Sequence, residues 1–214
     1  VGVLWVKGSG GDVGSIKMDG FSTLYMDKLN ALRGIYRGVE FEDEMVAYLP
    51  HCTFNLNPRA ASIDTPLHAY VPAEHVDHMH PDAIIAIAAA KDSKALTKQI
   101  FGDKIGWLPW KKPGYELGLW LSDFCAKNPN AKGVVLESHG LFTWDDDAQA
   151  CYELTLEIIQ TAMDWFAKET ADKPAFGGAA HVSLSAEQRR ATAAQLMPAI
   201  RGMVSGKQHM VGHF

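Results

Sequence analysis

His75-Val76-Asp77-His78-Met79-His80-Pro81-Asp82 sets two histidines two positions apart, just ahead of an apolar run. On an extended strand, residues i and i+2 project from one face about 6.5–7 Å apart, so the His78 and His80 imidazoles can converge on a single ion. A divalent metal is the natural candidate; a solvated, His-rich turn is the plain alternative. Structural and catalytic zinc sites both need at least three protein ligands, and an open position marks the catalytic kind. Further ligands must therefore come from elsewhere. The chain offers Asp64 in Ser62-Ile63-Asp64-Thr65-Pro66-Leu67-His68 and His139 in Glu137-Ser138-His139-Gly140-Leu141. Each sits where a hydrophobic segment meets a turn, the usual place for functional groups to be displayed.

With 214 residues, 47% of them hydrophobic, the chain can bury a substantial core. A formal charge of -5, from 20 basic and 25 acidic residues spread along the length, leaves no basic footprint for nucleic acid. The longest apolar run, Ala83 to Ala90, is far shorter than the roughly 18 residues of a membrane span and reads as core. Cys52, Cys125 and Cys151 are odd in number and widely spaced, without a C-x-x-C pair. They are expected to be buried thiols in a reducing, cytoplasmic compartment.

Val1 to Val6 alternates like a strand, and Lys7-Gly8-Ser9-Gly10-Gly11-Asp12-Val13-Gly14-Ser15 follows as a glycine-rich loop. Its backbone N–H groups can cradle a phosphate. It matches neither G-x-G-x-x-G nor a P-loop, and a strand-to-strand turn reads equally well. Helices are expected from Phe21 to Leu32, from Phe41 to before Pro50, from Tyr115 to Lys127, from Ala148 to Lys168 and from Ser185 to Ser205. Pro66 suits the first turn of a further helix, for which Asp64 stands at the N-cap. Strands are expected at Ile84 to Ala88 and Gly133 to Leu136, and this alternation argues a layered α/β domain. Thr170 to Ala180 reads as a linker. We expect a catalytic domain over 1–170, with 171–214 a linker and helical extension toward a domain outside this chain. The start at Val1 and the ending Val211-Gly212-His213-Phe214 suggest a longer polypeptide.

The segments S-I-D-T-P-L-H, H-V-D-H-M-H-P-D-A and E-S-H-G-L-F-T-W, in that order, resemble the class II aldolase and adducin superfamily. H-C-T-F-N-L-N-P-R, I-G-W-L-P-W and G-V-V-L-E-S-H-G-L-F-T-W are similar to the aldolase portion of bifunctional rhamnulose-1-phosphate aldolase and short-chain dehydrogenase proteins. The resemblance implies a three-layer α/β/α fold with a mostly antiparallel central sheet, assembled as a homotetramer. It implies zinc, or another divalent metal, on His78, His80 and His139. Asp64 would be a fourth ligand in the empty enzyme or a proton acceptor with substrate bound. Lys7, Gly8, Ser9, Gly10 and Ser62 would hold a sugar phosphate. The implied activity is cleavage of a ketose 1-phosphate, L-rhamnulose 1-phosphate, to dihydroxyacetone phosphate and L-lactaldehyde. A sugar-phosphate 4-epimerase, whose branch also carries Asp in a D-T-P context, and a non-catalytic adducin-like assembly module are the alternatives. No tyrosine follows Tyr152 to match the family's C-terminal proton donor, which leaves Tyr115, His75 or a residue beyond Phe214 for that role. Trp107, Pro109 and Trp110 are expected at a subunit interface, with the substrate entrance as the alternative.

Overall fold

The computed structural model describes residues 2–57, 59–174, 177–178 and 181–212. Val1 of the first expected strand, four residues of the expected linker, and His213 and Phe214 fall outside them. The chain divides into two compact units, Val1–Glu169 and Thr170–Phe214.

In chain order the first unit contains β1 (Val3–Lys7), β2 (Phe21–Tyr25), α1 (Met26–Ala31), α2 (Glu42–Tyr48), α3 (Thr65–Ala69), β3 (His75–Met79), α4 (Asp82–Ala88), α5 (Ser93–Phe101), β4 (Ile105–Leu108), α6 (Tyr115–Lys127), β5 (Gly133–Leu136) and β6 (Gly140–Asp145). The long helix α7 (Ala148–Thr170) follows, and α8 (Ala186–Val204) lies in the second unit. There Ser185 and Gln188 form a reciprocal capping box at the start of α8, and no residue of α8 is buried.

Four strands make the central sheet in the order β3-β6-β5-β4. β3/β6 and β6/β5 are antiparallel, whereas β5/β4 is parallel, so the sheet is mixed. Strand alternation divides its side chains between two cores. Val134, Leu136, Phe142 and Trp144 face Leu67 of α3 and Leu117 and Leu121 of α6. Val135 and Leu141 face the other way, toward Ile84 and Ile87 of α4, Phe101 of α5, and Leu154, Ile158 and Ala162 of α7. The result is the expected α/β/α layering. Each fully buried Leu, Ile or Phe contributes about 1.5–3 kcal/mol, which makes these two faces the main source of stability. A third cluster joins β1 and β2 to α1 and α2 around Leu24, Leu29 and Met45.

Two expected elements differ. Phe21–Tyr25 is a strand, paired with β1 from Lys7↔Phe21 to Val3↔Tyr25, and only Met26–Ala31 is helical. Leu24 and Leu29 reach the same cluster from two successive elements, so their spacing mimics one helical stripe. Ile84 to Ala88 belongs to helix α4 rather than a strand. A short apolar run is compatible with either state; here Ile84, Ile87 and Ala88 are the buried positions, at helical spacing. Pro66 does occupy the first turn of α3. Among the described residues no helix is long and apolar enough to cross a membrane.

Candidate metal centre and cleft

His78 lies in β3 opposite Phe142 of β6, on the face that carries Val76 toward α3 and α6. Its ring stacks on Phe142 with centroids 4.0 Å apart and planes 12° from parallel. Its Nδ1 is 2.9 Å from the Leu141 carbonyl. The carbonyl can only accept, so Nδ1 carries the proton and Nε2 presents a lone pair. His80 follows the end of β3. Pro81 after it disfavours helical backbone at the preceding residue, which lets His80 continue the strand direction. The two Nε2 atoms are 3.0 Å apart.

His139 arrives from the tight β5–β6 connection, where Leu136 and Gly140 are the last paired residues. Ser138 within this turn has φ 53°, in the left-handed region that non-glycine residues rarely enter. Its N–H donates to the Ala88 carbonyl at 2.8 Å, and that of His139 to Leu136 at 3.1 Å, which hold the turn in this shape. Ring centroids are separated by 4.6 Å for His78–His80, 5.0 Å for His78–His139 and 5.1 Å for His80–His139. One nitrogen from each of the three lies within 4.8 Å of the others.

Gly140 makes this convergence possible. A Cβ there would stand 2.5 Å from His80 Cδ2 and 2.8 Å from the Met79 carbonyl oxygen. Gly140→Ala is therefore expected to push His80 out of the triad and lower affinity for a bound divalent ion at least tenfold, while the fold persists. Metal titration of the variant by calorimetry checks this, and unchanged affinity would count against the triad as the binding site.

Asp64 occupies the N-cap position of α3 but makes no side-chain capping bond, so the capping role is not realised. Its Oδ1 is buried without a hydrogen-bond partner, as is Nδ1 of His139. An unsatisfied buried polar atom costs about 1–3 kcal/mol. A cation held among these side chains would offset that cost. Burial pushes the His78 pKa down to about 3, aided by the neighbouring His139, His80 and His68 imidazoles and opposed by the bond to Leu141. Burial also lowers His139 and His68, in both cases against the charge of Asp64. Neutral imidazoles with free lone pairs are what a metal ion needs. The donor set fits zinc, and imidazole sites also accept other divalent ions.

A cleft of about 580 Å³ opens over this centre. Asp64, His68, His78 and His80 form one side, and Lys7, Gly8, Ser9, Gly10 and Ser62 line the same space. The glycine-rich segment connects the antiparallel strands β1 and β2, so it is a strand-to-strand loop and a wall of the cleft at once. Several of its groups are already committed. The Gly8 N–H donates to Gly20, the Ser9 N–H to Ala60, and Lys7 Nζ to the carbonyls of Gly10 and Gly8.

His68 sits in α3 with its ring centroid 5.4 Å from that of Phe142 and 6.5 Å from that of His78. Tyr115 is removed as a proton donor, because it is 1% exposed and its hydroxyl is hydrogen-bonded to Tyr70 in the cluster beneath β1 and β2. Trp107 donates to Ser93 Oγ at 3.0 Å, and neither it nor Trp110 lines the cleft. Arg59 lies against Gly8, Gly10 and Gly11. It closes the H-C-T-F-N-L-N-P-R stretch, but that motif attaches no role to it, since its place beside the loop depends on tertiary contact.

The chain is 39% identical over 209 residues, 98% of its length, to the Bacillus subtilis (strain 168) protein named "Uncharacterized oxidoreductase YuxG", and spans 30% of that protein. The N-terminal class II aldolase domain of a conserved protein from Thermoplasma acidophilum superimposes with a TM-score of 0.69 at 30% identity, covering 77% of this chain and 75% of that one. An L-fuculose 1-phosphate aldolase shares the fold, with a TM-score of 0.54 at 13% identity over 91% of this chain and 80% of its own. Residues 2–165 match the model of the class II aldolase and adducin N-terminal domain, and the chain belongs to that family.

Proposed function

We propose that this chain is a metal-dependent aldehyde-lyase that cleaves a ketose 1-phosphate, with L-rhamnulose 1-phosphate as substrate and dihydroxyacetone phosphate and L-lactaldehyde as products. The supporting observation is the convergence of the His78, His80 and His139 imidazoles beside a cleft that is also lined by Asp64, whose buried Oδ1 has no partner.

His78, His80 and His139 would hold the ion, zinc in our reading. The ion would supply Lewis-acid stabilisation of the charge that develops on the substrate's ketone oxygen, a contribution of several kcal/mol. Asp64 takes the proton from the C4 hydroxyl as the C3–C4 bond breaks. The bonding pair moves toward the carbonyl, C4 leaves as the aldehyde, and the remaining enediolate is protonated at C3 to give the triose phosphate. Fixing the phosphate at the far side of the cleft would align the bond for this step. The wall formed by the Lys7–Gly11 loop limits how the sugar can lie.

Retention of all three imidazoles favours an enzyme over a non-catalytic assembly module. A 4-epimerase would use the same residues and rejoin the same bond. Incubation of the purified protein with L-rhamnulose 1-phosphate distinguishes the two, since cleavage releases dihydroxyacetone phosphate and epimerisation gives only a stereoisomer. We expect triose phosphate to appear and its release to stop with a chelator. Full activity in metal-free protein would overturn the mechanism. A cytoplasmic homotetramer, and a dehydrogenase portion on a longer polypeptide, complete the reading. Three buried free thiols suit a reducing compartment, the family resemblance supplies the tetramer, and the name and greater length of YuxG carry the dehydrogenase portion.

A further inference from the structure

We infer that the outward face of α7 docks helix α8 of a second copy of this chain, in antiparallel sense, each copy giving one helix and receiving the other. This docking is independent of the reaction proposed above. α7 is apolar on two sides. Leu154, Ile158 and Ala162 enter the core beneath the sheet, whereas Tyr152, Leu156 and Met163 remain 59%, 47% and 51% exposed. With half-buried Ile159 they form a second stripe at spacings of four, three and four, the pattern by which one helix packs along another.

α8 carries the matching half. It buries no residue, although a helix in a folded protein owes most of its stability to the packing of an apolar face. Half-buried Ala193 and exposed Leu196, Ile200 and Met203 follow one another at spacings of three, four and three. Both stripes therefore run about 15–17 Å. Pro198 lies on the far side of the helix from this stripe, so its ring does not enter the contact.

Charge selects the pairing and its direction. Glu153 and Asp164 border the α7 stripe on one flank, eleven residues apart, and accept from the neutral amides of Gln149 and Gln160 at 2.7 Å each. Arg190 and Arg201 border the α8 stripe on one flank, also eleven residues apart. Among the described residues none of these four has an opposite charge within ion-pair distance. At about 100° per residue, both charged flanks are turned from their stripes in the same rotational sense. They fall on one side of a helix pair only when the helices run antiparallel, and Glu153 then meets Arg201 while Asp164 meets Arg190. Two α7 helices would set acid against acid, and two α8 helices arginine against arginine. Reciprocal exchange between two copies makes the favourable contact twice and closes on itself.

The test is cross-linking between copies of the full chain. Glu153→Cys and Arg201→Cys proteins with different affinity tags are coexpressed, purified and treated with a short bis-maleimide. Both positions are exposed, whereas the native thiols Cys52, Cys125 and Cys151 are buried and do not compete. The product joining the two variants is expected in about tenfold excess over either variant joined to itself. Adding Leu156→Glu to the first protein, or Ile200→Glu to the second, is expected to cut that product about tenfold, because each sets a charge in an apolar contact. Both side chains are exposed, so these substitutions leave the fold intact, which circular dichroism checks. Equal yields of mixed and self-joined products, a mixed product indifferent to Leu156→Glu and Ile200→Glu, or no mixed product at all would each overturn the exchange. A link formed only within one chain that carries both Glu153→Cys and Arg201→Cys would overturn it as well.

Discussion

Protein carrying His80→Ala is expected to fold and to lose at least about 10³-fold in kcat. His80 is exposed at the end of β3 and contributes to neither hydrophobic face of the sheet, so its removal opens no cavity. What it removes is one of three donors, and two imidazoles do not hold a divalent ion against water and buffer. Loss of roughly 4 kcal/mol or more of Lewis-acid stabilisation translates into that fall in rate. Circular dichroism and a thermal melt report the fold, metal analysis reports the ion, and triose release reports the chemistry. A metal-replete wild type that melts normally beside a variant unfolded at room temperature would show that the ion is structural. Large domains with their own core do not usually depend on a metal in that way.

Asp64→Asn is expected to keep the ion and reduce kcat by about 10²–10⁴-fold, the range over which a positioned general base acts. The replacement has nearly the same shape and fills the same half-buried place at the start of α3. It cannot accept a proton at neutral pH. Metal content separates the two roles that the carboxylate can play. A variant that retains its ion and loses turnover supports proton transfer, whereas one that loses the ion identifies Asp64 as a ligand. Activity within tenfold of wild type would place the base on another residue.

The layering was legible because long periodic segments carry their own state: Tyr115–Lys127 and the start of α7 fall where helical spacing puts them. Short segments did not. Phe21–Tyr25 and Asp82–Ala88 have five and seven residues, too few for a period of 2 to be told from one of 3.6. In the centre, the i,i+2 spacing placed His78 and His80 together without knowledge of the fold. His139 needed the tight β5–β6 turn, and the family resemblance supplied it. Arg59 closed the H-C-T-F-N-L-N-P-R stretch without a role attached to it, because what it touches is a loop some fifty residues earlier. Tyr115 misled for the opposite reason: its chemistry suited a proton donor, but an N-terminal position on an amphipathic helix sent it into the core.

The two faces of β3 have a consequence for how its length can change. Asp77 Oδ2 accepts from the Thr155 hydroxyl of α7 at 2.9 Å, while His78, the next residue, points to the opposite face and stacks on Phe142. Insertion or deletion of one residue before His78 that shifted the pairing with β6 would exchange these faces. Asp77 and Met79 would then be aimed at α3, and His78 would be driven against α7. Changes of two residues preserve the alternation, so this stretch tolerates length variation only in even steps. The loop between β1 and β2 has no such parity to keep.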